Sequence, residues 1–299
     1  MRYFQNRVFG MEGLCNQLMA LYRTISEAFM CVQQGEEACI ILADGQTRNF
    51  IDLSDEDFFS PLPIEAFIEV DQFHRALAAK GVSLLRPWDV VASHEPINEC
   101  SRFPISPMSP DDSRNIGIWI AESIPFAQKP LLLAQSILGW MSQHPCWAAL
   151  QMRLESDVMY NQNFQYDEYV REQDRLATDS IAQFPEVSAV YVATGVNEEF
   201  LLEAMPEFRE RHSQAIILTK RNFLRLSPEM LAEFESLSLE EQALVDWLVC
   251  LGAPYFAGPH TSSFAYLAGY MRHYRGFEPD STSLWPIYML YWDMWFPKV

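Results

Sequence analysis

Short apolar runs alternate with amphipathic stretches along most of this chain, and that alternation is the strongest constraint on its fold. Strands covered on both faces read as continuous apolar runs, while the helices over them carry an apolar stripe of period 3.6. Residues 38–43, 82–85, 147–153, 189–194, 215–218 and 255–257 read as strands, with the end of an earlier one at residues 7–10. Leu14, Leu18, Leu21, Tyr22, Ile25 and Phe29 form one helical face that Gly35 closes. Further helices are expected over residues 129–144, 166–184, 197–210, 239–251 and 262–271. Residues 52–80 read as turns and short helices, the Pro- and Ser-rich stretch 93–112 as a long loop, residues 116–121 as one more strand, and a loop follows residue 218. Strand and helix in turn predict an α/β protein.

With 299 residues and 49% apolar content, the chain can bury a substantial core in one large or two ordinary domains. Pro145 precedes the strand that opens the second half, so the domains are expected at 1–144 and 145–299. The net charge of −19 repels polyanions, which excludes nucleic acid and anionic membrane as partners. A single small anion is still compatible with a local arginine, because the distant field is screened within about 10 Å. No apolar leader opens the chain and no run reaches about 18 apolar residues, so a soluble protein without a transmembrane segment, in the cytoplasm, is expected. The six cysteines show no CxxC pair and no histidine at ligand spacing, which points to buried free thiols and no zinc. The aromatic tail, 284–295, reads as a packed terminal segment.

One strand carries an anomaly. From Trp147 to Met159 an apolar run is interrupted at every second place by Gln151, Arg153, Glu155 and Asp157. On a strand these four side chains share a face. A charged group at the end of a buried strand needs a partner. Either Glu155 or Asp157 neutralises Arg153 internally, or the guanidinium meets an external anion.

Two strand-to-helix junctions could complete such a site. In Gly10-Met11-Glu12-Gly13-Leu14-Cys15-Asn16-Gln17 the glycines permit a tight turn, and the helix start offers free N–H groups. Glu12 there is a general base or a favourable charge beside the helix dipole. In Gly258-Pro259-His260-Thr261-Ser262-Ser263-Phe264 the hydroxyls either cap the next helix or hold a phosphate with its N–H groups. Asp246 interrupts an apolar helix and needs donors, which the N1–H and amino group of a guanine would supply. Asp55-Glu56-Asp57 follows Ser54 and reads as a capped helix start, so no metal is assigned.

Taken in order, these segments resemble the protein O-fucosyltransferase family, including its large plant branch. The resemblance runs through Glu12-Gly13-Leu14-Cys15-Asn16-Gln17, residues 149–159, Val190 to Gly195, Leu218-Thr219-Lys220, residues 244–250, Phe256-Ala257-Gly258, Ser262-Ser263-Phe264 and Gly269 to Arg272. It implies a GT-B-like fold with two Rossmann-like domains facing a central cleft. It also implies an inverting, metal-independent transfer of fucose from GDP-fucose to a protein or glycan acceptor, with no cofactor.

By position, the resemblance makes Arg153 the partner of the diphosphate, stabilising the leaving group. Gly13 and Asn16 would face the diphosphate from the first domain. Gln151, Thr261, Ser262, Ser263 and Phe264 would hold the donor, Asp246 would read guanine, and Glu12 would deprotonate the acceptor. One position departs from the family: its HxR histidine is Gln151 here, which hydrogen-bonds but cannot titrate. Three alternatives stay open on the sequence: rhamnosyl transfer from UDP-rhamnose, a silent nucleotide-sugar-binding protein, and an unrelated α/β protein with an internal Arg153 ion pair.

Overall fold

The computed structural model describes residues 1–7, 13–48, 59–89, 96–100, 108–155 and 165–285. The chain divides into two compact units, the first holding Met1–Arg48 and Phe59–Gln128, the second beginning at Lys129. In chain order the first contains β1 (Arg2–Asn6), α1 (Leu14–Gln33), β2 (Ala38–Ile41), β3 (Gly45–Arg48), β4 (Phe59–Leu62), α2 (Val70–Ala78), β5 (Val82–Leu85), β6 (Ile97–Cys100) and α3 (Pro110–Ser123). Its main sheet is parallel, in the order β5-β2-β1-β6, and β3 pairs antiparallel with β4. The predicted stripe of α1 is buried and packs on β1 and β2.

The second unit continues with α4 (Gln128–Met141), β7 (Trp147–Gln151), α5 (Tyr166–Ile181), β8 (Ala189–Ala193), α6 (Glu198–Ala204), α7 (Pro206–Arg211) and β9 (Ile216–Leu218). It closes with α8 (Lys220–Leu224), α9 (Pro228–Glu235), α10 (Leu239–Gly252), β10 (Tyr255–Pro259), α11 (Ser263–Tyr274) and β11 (Thr282–Trp285). Its parallel sheet runs β11-β10-β7-β8-β9. Ala148, Leu150, Val190, Val192 and Ala257 face a core completed by Ala177, Ile181, Leu201 and Phe208 of α5 to α7. Helices α10 and α11 pack on the same sheet, against β7, β8 and β10.

In both sheets the first strand of the unit is central. Its successors add on one side until the chain returns to pair on the other. The strand order therefore reverses between β1 and β6, and again between β7 and β10. Crevices at such points, outside the carboxyl ends of the strands, are where open α/β sheets bind ligands.

Several sequence expectations are corrected. Residues 116–121 are helical, inside α3, because Ser109 accepts the Asp112 N–H and Pro110 pre-sets the first turn. The buried positions Ser113, Ile116, Gly117, Ile120 and Ala121 follow a helical stripe. The expected loop at 93–112 contains β6, an exposed edge strand without apolar alternation, and the start of α3. The helix over 197–210 is broken at Pro206 into α6 and α7. The loop after residue 218 is replaced by α8 and α9, and the tail's Leu284 and Trp285 belong to β11. Residues 8–10, Glu12, Asp55 to Asp57 and Asp157 lie outside the described residues. All six cysteines are free, five of them buried, and burial pushes the Cys100 thiol up to about 11. No helix among the described residues is long and apolar enough to cross a membrane.

Candidate functional site

The anomaly of the sequence sits at the reversal point of the second sheet. β7 is buried throughout and ends at Gln151; beyond it burial alternates from Met152 to Glu155. Met152 and Leu154 are fully buried in the core beside α5, which directs Gln151, Arg153 and Glu155 away from it. Gln151 is only 5% exposed, and its Oε1 has no hydrogen-bond partner. The Arg153 side chain is 27% exposed and donates from Nη1 to Glu155 Oε2 at 2.7 Å. Glu155 Oε1 accepts the backbone N–H of Gly195, at 2.6 Å. Burial pushes the Glu155 carboxyl up, but Arg153 and the N–H groups of Glu155 and Gly195 outweigh it, so its pKa lies below the usual carboxylate range. The internal ion pair considered from sequence is thus present, with the guanidinium still partly open.

On the other side of the reversal lies the end of β10. Register pairs Ala257 with Leu150, which brings Gly258 beside Gln151. A Cβ at Gly258 would stand 2.8 Å from Ala265 Cβ and 3.2 Å from Gln151 Cβ, so only glycine lets α11 and β7 approach this closely. His260 follows, with its N–H on Trp285 O at 2.8 Å. It is 9% exposed, and its Nδ1 has no partner. No motif logic selected His260, and the unpartnered buried nitrogen is what singles it out.

Ser262 is the N-cap residue of α11, but its side chain makes no capping bond. The first backbone bond of the helix runs from Tyr266 N–H to Ser262 O at 2.9 Å. This leaves the N–H groups of Ser263, Phe264 and Ala265 without intrahelical acceptors, and no acidic residue occupies the first turn. A helix start of this kind favours an anion. Thr261 is exposed, and Ser262, Ser263 and Phe264 are half-buried.

Asp246 behaves differently from the sequence expectation. It is 4% exposed within α10, accepts the Tyr191 hydroxyl at 2.5 Å, and is ion-paired with Lys220. Lys220 Nζ also donates to Thr194 O at 2.9 Å, tying the start of α8 to the end of β8. Burial raises the Asp246 carboxyl above its ordinary value against the pull of Lys220 and Tyr191. A guanine fork would have to share these oxygens with Tyr191 and Lys220 or displace them. The carboxylate found its donors inside the chain, 26 and 55 residues away. Sequence reading had no signal for that pairing.

In the first unit, Gly13 is the N-cap of α1, and Asn16 sits in its first turn with Oδ1 unpartnered. Gln17 clamps β3, donating to Gln46 O at 2.8 Å and accepting from Gln46 N at 2.9 Å. A cavity of about 530 Å³ opens at the ends of β1, β2 and β6, with Asn6, Arg7, Asp44, Gln46, Ser60 and Glu99 in its lining. Arg7 is ion-paired with Glu99. Among the described residues no cluster of three or more His, Cys, Asp or Glu is placed to hold a metal.

Gln151 ends β7, Arg153 follows it by two residues, and Ser262, Ser263 and Phe264 open α11 after β10, the strand paired with β7. Asp246 is bonded to Tyr191 of β8 and to Lys220, close enough to Glu155 for that carboxylate to help raise its pKa, and Gly13 and Asn16 belong to the first unit. No protein-family model matches the chain, and no curated protein matches it. Solved structures do. The chain is similar to POFUT1 in complex with GDP-fucose, at 10% identity over 94% of this chain and 97% of that one, with a TM-score of 0.53. It is similar to POFUT1 in complex with GDP, at 12% identity over 94% and 96%, with a TM-score of 0.51. The fucosyltransferase NodZ from Bradyrhizobium matches at 12% identity over 90% and 92%, with a TM-score of 0.51. At such identities the likeness establishes the fold, an α/β architecture of the GT-B type.

Proposed function

We propose that the chain is a glycosyltransferase that moves L-fucose from GDP-fucose to a hydroxyl of a protein or glycan acceptor, with inversion and without a metal. One observation supports the reading: the uncapped start of α11 and the buried, unpartnered Gln151 Oε1 and His260 Nδ1 belong to the segments at and just after the ends of β7 and β10, where the strand order reverses, with Arg153 two residues beyond β7. The named complexes of the similar structures, GDP-fucose and GDP, support a donor of this chemistry.

In this reading residues 145–299 bind the donor and residues 1–144 the acceptor. The N–H groups of Ser263 to Ala265, with the hydroxyls of Thr261, Ser262 and Ser263, receive the diphosphate. Arg153 meets the charge that develops on it as the bond from the anomeric carbon to the phosphate oxygen breaks. Gln151 Oε1, an acceptor, suits a sugar hydroxyl and not a phosphate oxygen. The acceptor oxygen bonds to the anomeric carbon from the opposite face, and its proton goes to Glu12 or to the departing phosphate. Asn16, on α1, keeps its carried-over role toward the diphosphate, for which its side-chain N–H groups are the suitable donors. The polar cavity of the first unit, with Asn6, Gln46 and Ser60 beside Asp44 and the Arg7–Glu99 ion pair, suits a hydroxyl-rich acceptor.

Calorimetric titration with GDP, UDP, GDP-fucose and UDP-rhamnose, with a chelator present throughout, tests the reading. It predicts binding of GDP and GDP-fucose, tighter than the uridine ligands, and a loss of at least about tenfold in Arg153→Ala. Tighter binding of UDP-rhamnose would transfer the proposal to rhamnose. GDP-fucose binding without transfer to any acceptor would identify a silent binder. Four flat titrations would overturn the donor site altogether.

A further inference from the structure

Nothing in the donor reading uses Glu155, yet it is ion-paired with Arg153. Its two carboxylate oxygens have separate duties. Oε2 takes Arg153 Nη1 at 2.7 Å, and Oε1 takes the Gly195 N–H at 2.6 Å. The second bond anchors the carboxylate to the end of β8, the strand paired with β7. Gly195 makes that anchorage possible, since a Cβ there would stand 2.7 Å from Glu155 Oε1 and 3.2 Å from its Cγ. A three-part chain results, in which Gly195 fixes Glu155 and Glu155 fixes the direction of a guanidinium at the rim of the crevice.

We infer that Glu155 is a positioning residue for Arg153: it aims the guanidinium and sets the charge that an incoming diphosphate meets. The inference rests on the donor-site reading. A guanidinium paired with a carboxylate presents less net positive charge to an incoming diphosphate than one without that carboxylate, so Glu155 lowers what an anion gains from Arg153. Glu155 therefore weakens ground-state binding of the diphosphate while holding Arg153 where the leaving-group charge appears. The two effects carry opposite signs in binding and in turnover, which a merely structural residue does not produce.

Two variants separate them. Glu155→Gln removes the charge and leaves one carbonyl oxygen for two donors. Gly195→Ala keeps both charges and displaces the carboxylate. Calorimetry with GDP and steady-state fucosyl transfer are measured on the full chain, with thermal melts as a folding control. Glu155→Gln is expected to bind GDP about three- to tenfold more tightly and to turn over at least about tenfold more slowly. Gly195→Ala is expected to lose similar turnover without tighter GDP binding. Unchanged turnover in Glu155→Gln, or weaker GDP binding in step with lost turnover, overturns the assignment. If the unsubstituted chain binds no GDP, the donor-site reading fails and the assignment falls with it. If that chain binds GDP while the variants match it, only the assignment fails.

Discussion

At the scale of residues, the second unit spends its strictest local constraints around Gln151 and Arg153. Gly258→Ala would press a methyl group into Ala265 Cβ and Gln151 Cβ, and is expected to destabilise the fold by about 1–3 kcal/mol, read from the shift in urea midpoint. Glu155 gives a pH signature of definite sign. Its folded pKa is lowered, so its contribution is full above the unfolded value of about 4.3 and is lost as pH falls through the folded one. The melting-temperature gap between the unsubstituted chain and Glu155→Gln should therefore shrink between neutral pH and about pH 3, and a gap that widens would contradict the ion pair. Arg153 was legible in the sequence because alternation marks a face without knowledge of the fold. Asp246 was legible only as a buried carboxylate in need of donors. Tyr191 and Lys220 lie on other elements, and no local pattern announces them.

At the scale of elements, strand and helix assignments followed the sequence where periodicity was strong, as in α1, β2, β7 and β8. They failed where capping or pairing decided the outcome. The isoleucines of α3 suit a strand, but Ser109 and Pro110 start a helix ahead of them. β6 has no apolar alternation and exists because β1 offers it an edge. β10 and β11 are held by a device that local sequence does not reveal. Arg272, fully buried, donates to the carbonyls of Cys250, Leu251, Ala253, Pro254 and Ser281, joining the end of α10 to the approach to β11. Burial lowers its pKa to about 10. Arg272→Met would strand those carbonyls and is expected to cost about 3 kcal/mol or more, measured by urea denaturation. A loss below about 1 kcal/mol would show that water replaces the guanidinium. At α10, Ser238 and Glu241 form a capping box, and Ser238→Ala should cost about 1 kcal/mol by the same measurement.

At the scale of the molecule, each unit builds a parallel sheet whose strand order reverses beside its first strand. The alternation of short apolar runs and helical stripes made the α/β class legible, but the strand order was not, since a strand's own residues do not name its neighbour. The position of the proposed donor site follows from that order. Two segments more than a hundred residues apart, one ending in Arg153 and one opening α11, become neighbours only because β7 pairs with β10. The surrounding charge is strongly negative, −19 for the whole chain, so the site must hold an anion by local donors. The most direct test is a crystal structure of the chain with GDP bound. The diphosphate is predicted at the start of α11, within hydrogen-bond distance of the N–H groups of Ser263 to Ala265 and of the Arg153 guanidinium. A GDP molecule seated elsewhere, out of reach of the Arg153 guanidinium, would contradict the account.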